Sequence, residues 1–374
     1  MTAPQPFLVY RDRIGAPSEI AFLRRQYVGF TRLRPVWIGR TLLPDAGAVG
    51  DTTLRLGNDG LLGPVRRLLF RHAALAPAVD VPDLAPVLHA QFARGGALAL
   101  PLAHALGLRI VVTLHGGDVS KRKNWQRTVL SRRWPALVRE AFAFVCVSHA
   151  VADIALARGA PPDKVVVLPI GVEVPDQPPA ARPRAHLFVG RFVEKKGIAA
   201  LADAVRMLRA QGDTTPVVFI GDGALRPVLE ALARDVPGVT LTGWLNADAI
   251  QPHLAAAVSL VVPSVIASDG DAEGLPSVIP EAMAQGCPVI GSDQGGIAEA
   301  VRSGVTGLLV PPGDAAALAA SMRQLSTDPS RRAQMGVAAF QAVSTDLNAR
   351  LQSKKLEDLL LTAASSGPGR ASER

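Results

Sequence analysis

Short, almost uninterrupted apolar runs recur along the whole chain. Each is followed by an alanine- and leucine-rich stretch of helical character. In the first half the runs are PFLVY (6–10), PVWIG (35–39), PVLHAQ (86–91), RIVVTLH (109–115), FAFVCVS (142–148) and VVVLP (165–169). In the second they are HLFVG (186–190), PVVFIG (216–221), VTLTG (239–243), VSLVVPS (258–264), PVIGS (288–292) and GLLV (307–310). A strand that is apolar at consecutive positions must be covered on both faces, the condition of a parallel sheet flanked by helices. The order βαβα therefore predicts an α/β chain of doubly wound sheets, which bind ligands outside the carboxyl ends of their strands.

The two series are separated by PDQPPAARPR (175–184), whose proline and polar content marks a linker. We therefore expect two Rossmann-like domains, 1–174 and 185–346, facing each other across a cleft. An amphipathic helix over 347–363 follows, with the N-terminal domain as the surface it would return to, and 364–374 has the composition of a disordered tail.

With 48% hydrophobic and 19% charged residues, the chain can bury sizeable cores, which excludes wholesale disorder. Its two cysteines, Cys146 and Cys287, are too few for a disulfide framework and fit a reduced setting. The apolar start PFLVY is cut short by Arg11, Asp12 and Arg13, unlike a secretory signal. No run approaches the roughly 18–20 apolar residues of a spanning helix, so a cytoplasmic protein is expected.

The net charge of +8 is uneven: residues 1–180 hold 22 Lys+Arg against 13 Asp+Glu, and residues 181–374 hold 18 against 19. An excess confined to one half suits an anionic membrane, a phosphate-bearing substrate or nucleic acid. It concentrates in VRRLLFRHAAL (65–75) and KRKNWQRTVLSRRW (121–134), the latter with Trp125 and Trp134 among six Lys/Arg. Such a stretch suits an interfacial helix on the inner face of an anionic membrane, and equally a solvated helical face with half-buried tryptophans. No DNA- or RNA-binding motif accompanies it, so nucleic acid is not expected.

Carboxylates mark the second half. In D-A-E-G-L-P-S-V-I-P-E-A-M-A-Q-G (271–286), Glu273 ends a small-residue loop and Pro280 suits the first turn of a helix, placing Glu281 near its N-terminus. There backbone N–H groups attract phosphate and a carboxylate can bond ribose hydroxyls. Spacing alone supports a pair of solvated helix-entry charges equally well. In G-R-F-V-E-K-K-G (190–197), Arg191 and Lys196 fall at the carboxyl end of a strand, a pair of cations suited to a diphosphate. G-D-G-A-L-R (221–226) reads as a tight turn beside a nucleotide, since it lacks the downstream glycine of a dinucleotide fingerprint.

The ordered series GRFVEKKG, FIGDG, LTGWL, EGLPSVIPEAMAQGCPVIGSDQGGIAEAV and SGVTGLLVPPGD, within 186–314, resembles the retaining glycosyltransferases of family 4, which have the GT-B fold. The resemblance implies that Arg191 and Lys196 hold the donor diphosphate of a UDP- or GDP-linked sugar. It further implies that Glu281 binds the ribose and Glu273 meets the sugar beside the reacting carbon. Backbone groups of Gly274, Leu275, Pro276 and Ser277 would line the site, and Leu245 would meet the base.

In the first half, VTLHGGD (112–118) ends a strand in His115, two glycines and Asp118. A lone histidine there reads more often as structural, yet in the family it faces the transferred sugar. G-A-P-S-E (15–19) resembles the variant of this turn in enzymes of bacterial surface-polysaccharide synthesis. Gly15 would then approach the donor phosphates, Ser18 would cap a helix over 19–29, and Glu19 and Asp118 would fall on the acceptor side. Gln91 stands where relatives commonly carry a second histidine, which leaves His89 without an acceptor role.

Asp269-Gly270-Asp271 imitates the metal-carrying D-x-D of another glycosyltransferase fold, but the two diphosphate-binding cations make a metal redundant, and no cofactor is expected. The expected function is metal-independent, retaining transfer of a sugar to a saccharide or lipid-linked saccharide in cell-envelope or exopolysaccharide synthesis. The rivals are a nucleotide-sugar epimerase of the same architecture and a non-catalytic membrane-surface protein with a vestigial donor site.

Overall fold

The computed structural model describes residues 3–50, 53–56, 81–180 and 183–367. The chain forms two compact units, Met1–Ile170 with Ala349–Arg374, and Gly171–Asn348. The boundary thus precedes the proline-rich 175–184 stretch. It is set by pairing, since the Val172 N–H donates to the Leu347 carbonyl at 2.8 Å and Val172 bridges Asn348.

The first unit is built on a seven-stranded parallel sheet. Its strands are β1 (Gln5–Tyr10), β3 (Leu33–Gly39), β5 (Thr53–Arg55), β6 (Val87–Gln91), β7 (Arg109–Leu114), β8 (Ala143–Cys146) and β9 (Val165–Val167). They lie in the order β5-β3-β1-β6-β7-β8-β9, and β2 (Arg13–Ile14) and β4 (Thr41–Leu42) pair separately. The second unit holds β10 (Ala185–Val189), β11 (Val217–Ile220), β12 (Val239–Gly243), β13 (Ala257–Val262), β14 (Val289–Ser292) and β15 (Gly307–Val310). Their order is β12-β11-β10-β13-β14-β15, again all parallel.

Both orders reverse direction once, between β1 and β6 and between β10 and β13. Such a reversal opens a crevice at the strands' carboxyl ends. The apolar runs have the cause expected of them: β6, β13 and β14 are buried at every position. β12, at the sheet edge, alternates half-buried and exposed residues instead. The short β2, β4 and β5 carry too few residues to show a pattern.

Two helix boundaries differ from expectation. The first helix is Pro17–Arg25, with Pro17 in its first turn, so Ser18 already lies inside it. The terminal helix is Ala349–Ser365, because Leu347 and Asn348 pair with Val172 and so fall outside it. Residues 65–75 and the tail from 368 lie outside the described residues. Among the described residues, no helix is long and apolar enough to cross a membrane.

The terminal helix buries one face, Leu356, Leu360 and Ala363, in the core of the first unit. Polar groups on the same face fix its register. Ser353 Oγ accepts the Gly29 N–H at 2.9 Å, and Glu357 Oε1 accepts those of Thr31, Arg32 and Leu33 at 2.9, 2.7 and 2.8 Å. Glu357 is 1% exposed, so its loss strands three backbone donors at the entry to β3. Glu357→Ala should lower stability by about 3 kcal/mol, read as a lower urea midpoint of the first unit's transition.

Candidate active site

At the β10/β13 reversal the chain makes a frame of two loops. Gly197 ends the first at φ +66°, and a Cβ there would sit 1.8 Å from the Pro263 carbonyl oxygen. Only glycine permits both that conformation and that approach. The Val265 N–H donates to the Lys195 carbonyl at 2.8 Å, and the Ser268 N–H and hydroxyl both bond the Glu194 carboxylate at 2.9 Å.

Residues Glu194–Lys196 form a 3₁₀ turn, in which successive side chains leave about a third of a revolution apart. Glu194 meets Ser268, Lys195 Nζ lies 3.3 Å from Asp271 Oδ1, and Lys196 Nζ lies 2.9 Å from Glu273 Oε1. Lys195 is also 3.5 Å from that Glu273 oxygen. The Oε1 atom is buried between two ammonium groups as a close ion pair rather than an aligned hydrogen bond. Burial opposes the charge on Glu273, but Lys196 and then Lys195 outweigh it and hold the carboxyl below its ordinary range.

Arg191 is exposed, and its guanidinium makes no ion pair or hydrogen bond among the described residues. Gly274 and Pro276 are buried, Leu275 is half-buried and Ser277 is exposed ahead of the seven-residue helix Val278–Ala284. Glu281 stands in that helix's first turn. Leu245 packs on the same core cluster as Leu275, leaving its neighbour Trp244 exposed. The 221–226 turn docks on the first loop: the Phe192 N–H donates to the Asp222 carbonyl at 2.8 Å and the Leu225 N–H to the Phe192 carbonyl at 2.9 Å.

At the β1/β6 reversal of the first unit lies His115. Its Nε2 is 2.9 Å from Gln91 Oε1, and its ring stands 4.2 Å from that of Phe92. Gln91 donates to the Tyr27 hydroxyl at 2.8 Å, that hydroxyl is 2.8 Å from His89 Nδ1, and His89 Nε2 is 2.6 Å from Thr113 Oγ1. One direction of protons satisfies this chain: His115 Nε2–H to Gln91, Gln91 to Tyr27, Tyr27 to His89, and His89 Nε2–H to Thr113. Burial, with Arg11 and His89 adding to it, lowers His115 to about 3, so it is a neutral imidazole at physiological pH. His89, fully buried within the chain, is a core residue with both ring nitrogens bonded.

Other expected residues have structural partners. Asp118 Oδ1 accepts the His115 N–H at 3.0 Å and Oδ2 the Ala93 N–H at 2.8 Å, so this carboxylate clamps the loop that carries His115. Glu19 binds Arg11 in bidentate fashion at 2.9 and 2.8 Å, and Arg11 lies over the Phe92 ring. Gly15 has φ +95°, and a Cβ there would meet the Ala46 nitrogen at 2.5 Å, so packing alone already demands glycine. Phe92 holds φ 69° and ψ 150°, a conformation costing about 1–3 kcal/mol for a side-chain-bearing residue, directly beside His115.

Trp134 is buried and Trp125 half-buried, each with its indole N–H bonded within the fold. Trp134 is 5% exposed with its N–H on the Arg158 carbonyl, and Trp125 donates to the Val119 carbonyl beneath the Arg158 guanidinium. The exposed members of this segment are Arg122, Lys123, Gln126, Arg127 and Arg132.

Sequence reasoning missed Lys195 and the partnership of Asp271. The signal was the doubled lysine at a strand's carboxyl end with two acidic residues spaced D-x-E in the facing loop. Because the Glu273 carboxyl is depressed in the folded protein, its stabilising effect is complete above its unfolded value of 4.5 and is lost as pH falls through the lower folded value. The stability gap between the parent and Glu273→Gln should therefore be widest at neutral pH. It should narrow below about pH 4.5, as chemical denaturation at each pH would show.

Comparison with known proteins agrees in both units. A family model described as Glycosyltransferase Family 4 matches residues 55–175, and one described as Glycosyl transferases group 1 matches 183–328. The chain is 31% identical over 297 residues to the amylovoran biosynthesis glycosyltransferase AmsK of Erwinia amylovora, covering 77% of this chain and 72% of that one. It is 32% identical over 308 residues to the putative colanic acid biosynthesis glycosyltransferase WcaL of Escherichia coli, covering 77% and 73%. Among solved structures, Anabaena HepE in complex with UDP-glucose superposes with a TM-score of 0.75 at 18% identity, over 96% of this chain and 99% of that one.

Proposed function

The chain belongs to the glycosyltransferases of family 4, with the two Rossmann-like domains of the GT-B fold, and from that membership we propose a specific reaction. It transfers a sugar from a UDP- or GDP-linked donor to a hydroxyl of a saccharide or lipid-linked saccharide, with retention at the anomeric carbon and without a metal. The relatives named for amylovoran and colanic acid biosynthesis support a role in exopolysaccharide or cell-envelope synthesis.

The observation that carries this reading is the half-buried pair Lys196–Glu273 beside the exposed Arg191, which is unpartnered among the described residues, at the β10/β13 reversal. As the bond between the anomeric carbon and the diphosphate breaks, negative charge gathers on the departing phosphate, and Arg191 and Lys196 stabilise it there. The departing phosphate accepts the proton of the incoming hydroxyl, so no separate general base is required. Glu273, freed to face the sugar, stabilises the cationic carbon, and Glu281 binds the ribose. Backbone groups of Gly274 to Ser277 line the sugar and phosphate, Leu245 meets the base, and Gly15 approaches the phosphates. His115, neutral by burial, contacts the transferred sugar as a hydrogen-bonding group rather than a charge. Asp118 and Glu19 act on the acceptor side by holding His115 and Arg11. The positive charge that a metal would supply comes from Arg191 and Lys196, and Asp271 is engaged by Lys195.

The exposed charges of the 121–134 segment, with the basic first half, support peripheral binding to an anionic membrane and therefore a lipid-linked acceptor. Flotation with phosphatidylglycerol vesicles should show association at low salt that is released at high salt; no association at low salt ends this part of the proposal.

A panel of UDP- and GDP-sugars screened by thermal stabilisation should single out the donor. With it, Glu273→Ala and Lys196→Ala should each lower transfer by about 100-fold or more while leaving a cooperative melt. Near-normal transfer in both variants would sink the assignment, and isomerised donor in the acceptor-free arm would replace it with epimerisation.

A further inference from the structure

Lys196 cannot serve two anions at full strength. Here it pairs with Glu273 at 2.9 Å, yet the proposed reaction needs it on the donor diphosphate. Once it turns, a carboxylate 12% exposed faces an incoming dianion, which is the situation that drives a buried acid to take up a proton. The neighbouring lysine is placed to prevent this. Lys195 is 11% exposed, lies 3.5 Å from the same Glu273 oxygen, and sits 3.3 Å from Asp271 on its other side.

Among the described residues, Lys195 has a second carboxylate partner that Lys196 lacks. The Lys195 carbonyl is held by the Val265 N–H, and Asp271 is itself tied into the loop, its carbonyl accepting the Ala267 N–H at 3.0 Å and its N–H meeting Asp269 Oδ1 at 2.9 Å. The charged groups on the elements around Glu273 are Arg191, Glu194, Lys195 and Lys196 on the preceding loop, Asp269 and Asp271 on its own, and Glu281 on the helix that follows. Of these, Lys195 and Lys196 are the cations paired with it.

We propose that Lys195 is a positioning residue, the standing counter-charge that keeps Glu273 ionised after Lys196 has moved to the donor diphosphate, with Asp271 as the anchor that keeps Lys195 from moving too. The doubled lysine thus divides into a mobile and a fixed cation. This rests on the donor-site reading above.

The test follows the Glu273 carboxyl carbon by NMR in the full chain labelled with [δ-¹³C]glutamate, assigned by its absence in Glu273→Gln. It is titrated with and without saturating inorganic diphosphate, whose binding is measured separately by calorimetry. In the parent protein with diphosphate bound, Glu273 should remain ionised at neutral and mildly acidic pH. In Lys195→Met its midpoint should rise by about one pH unit or more, a tenfold change in proton affinity. Lys195→Arg should keep the parent midpoint, and Asp271→Asn, which frees Lys195 to follow Lys196, should raise it with diphosphate bound but not without it. An unchanged midpoint in Lys195→Met with diphosphate bound overturns the inference and leaves the donor site intact. A rise in Lys195→Arg equal to that in Lys195→Met, or a rise in Asp271→Asn that appears without diphosphate as well, overturns it as general disruption; if Lys195→Met does not fold, the absence of a diphosphate-dependent rise in Asp271→Asn overturns it. Absence of diphosphate binding to the parent protein removes the donor reading and the inference together.

Discussion

The candidate active site depends on how the first loop after β10 is pressed against the end of β13. Gly197 touches the Pro263 carbonyl oxygen so closely that no side chain fits, and this contact sets the distance between the two loops. Every ion pair of the site crosses that gap. Two lysines facing two carboxylates in a mostly buried place would be costly if any member were missing, since each charge there owes its tolerance to its neighbours. The quartet is therefore better understood as one electrostatic unit than as residues with separate duties.

The first unit solves a related problem with neutral groups. The His115 ring is bonded to a neutral amide, and the hydrogen-bond chain through Gln91, Tyr27, His89 and Thr113 sets which ring nitrogen carries the proton. Asp118 fixes the backbone on either side, and the unfavourable backbone of Phe92 brings an aromatic face against the imidazole. One reversal point gathers paired charges and the other presents a neutral, oriented side chain. That contrast follows from which residues each sheet sends to its carboxyl edge.

Most of the architecture was legible because parallel strands covered on both faces have no polar alternation to hide them. All twelve apolar runs read from the sequence are strands, each within a residue or two of its expected limits. The placement of Arg191 and Lys196 just past a strand end, and of Glu273 in a loop ahead of a helix, was legible too, from G-R-x-x-x-K-K-G after a strand and G-L-P before Pro280. Lys195 was not, since nothing in a run of two lysines says which one a 3₁₀ turn will direct inward. The roles of Asp118 and Glu19 were hidden for a different reason. Each has a partner distant in sequence or outside any periodic pattern, Ala93 in one case and Arg11 in the other, and spacing is silent about such meetings.

The terminal helix has a consequence for synthesis. Residues 29–33 and their core neighbours are made early, but the groups that satisfy them, Ser353 and Glu357, lie beyond the entire second unit. The second unit is continuous, Gly171–Asn348, and can close as soon as it emerges. The first must wait, with an apolar face and several backbone donors uncovered, until residues 349–365 arrive. The nascent chain thus completes its halves in reverse order, and a message truncated before that helix would damage the half already made rather than the one next to the break.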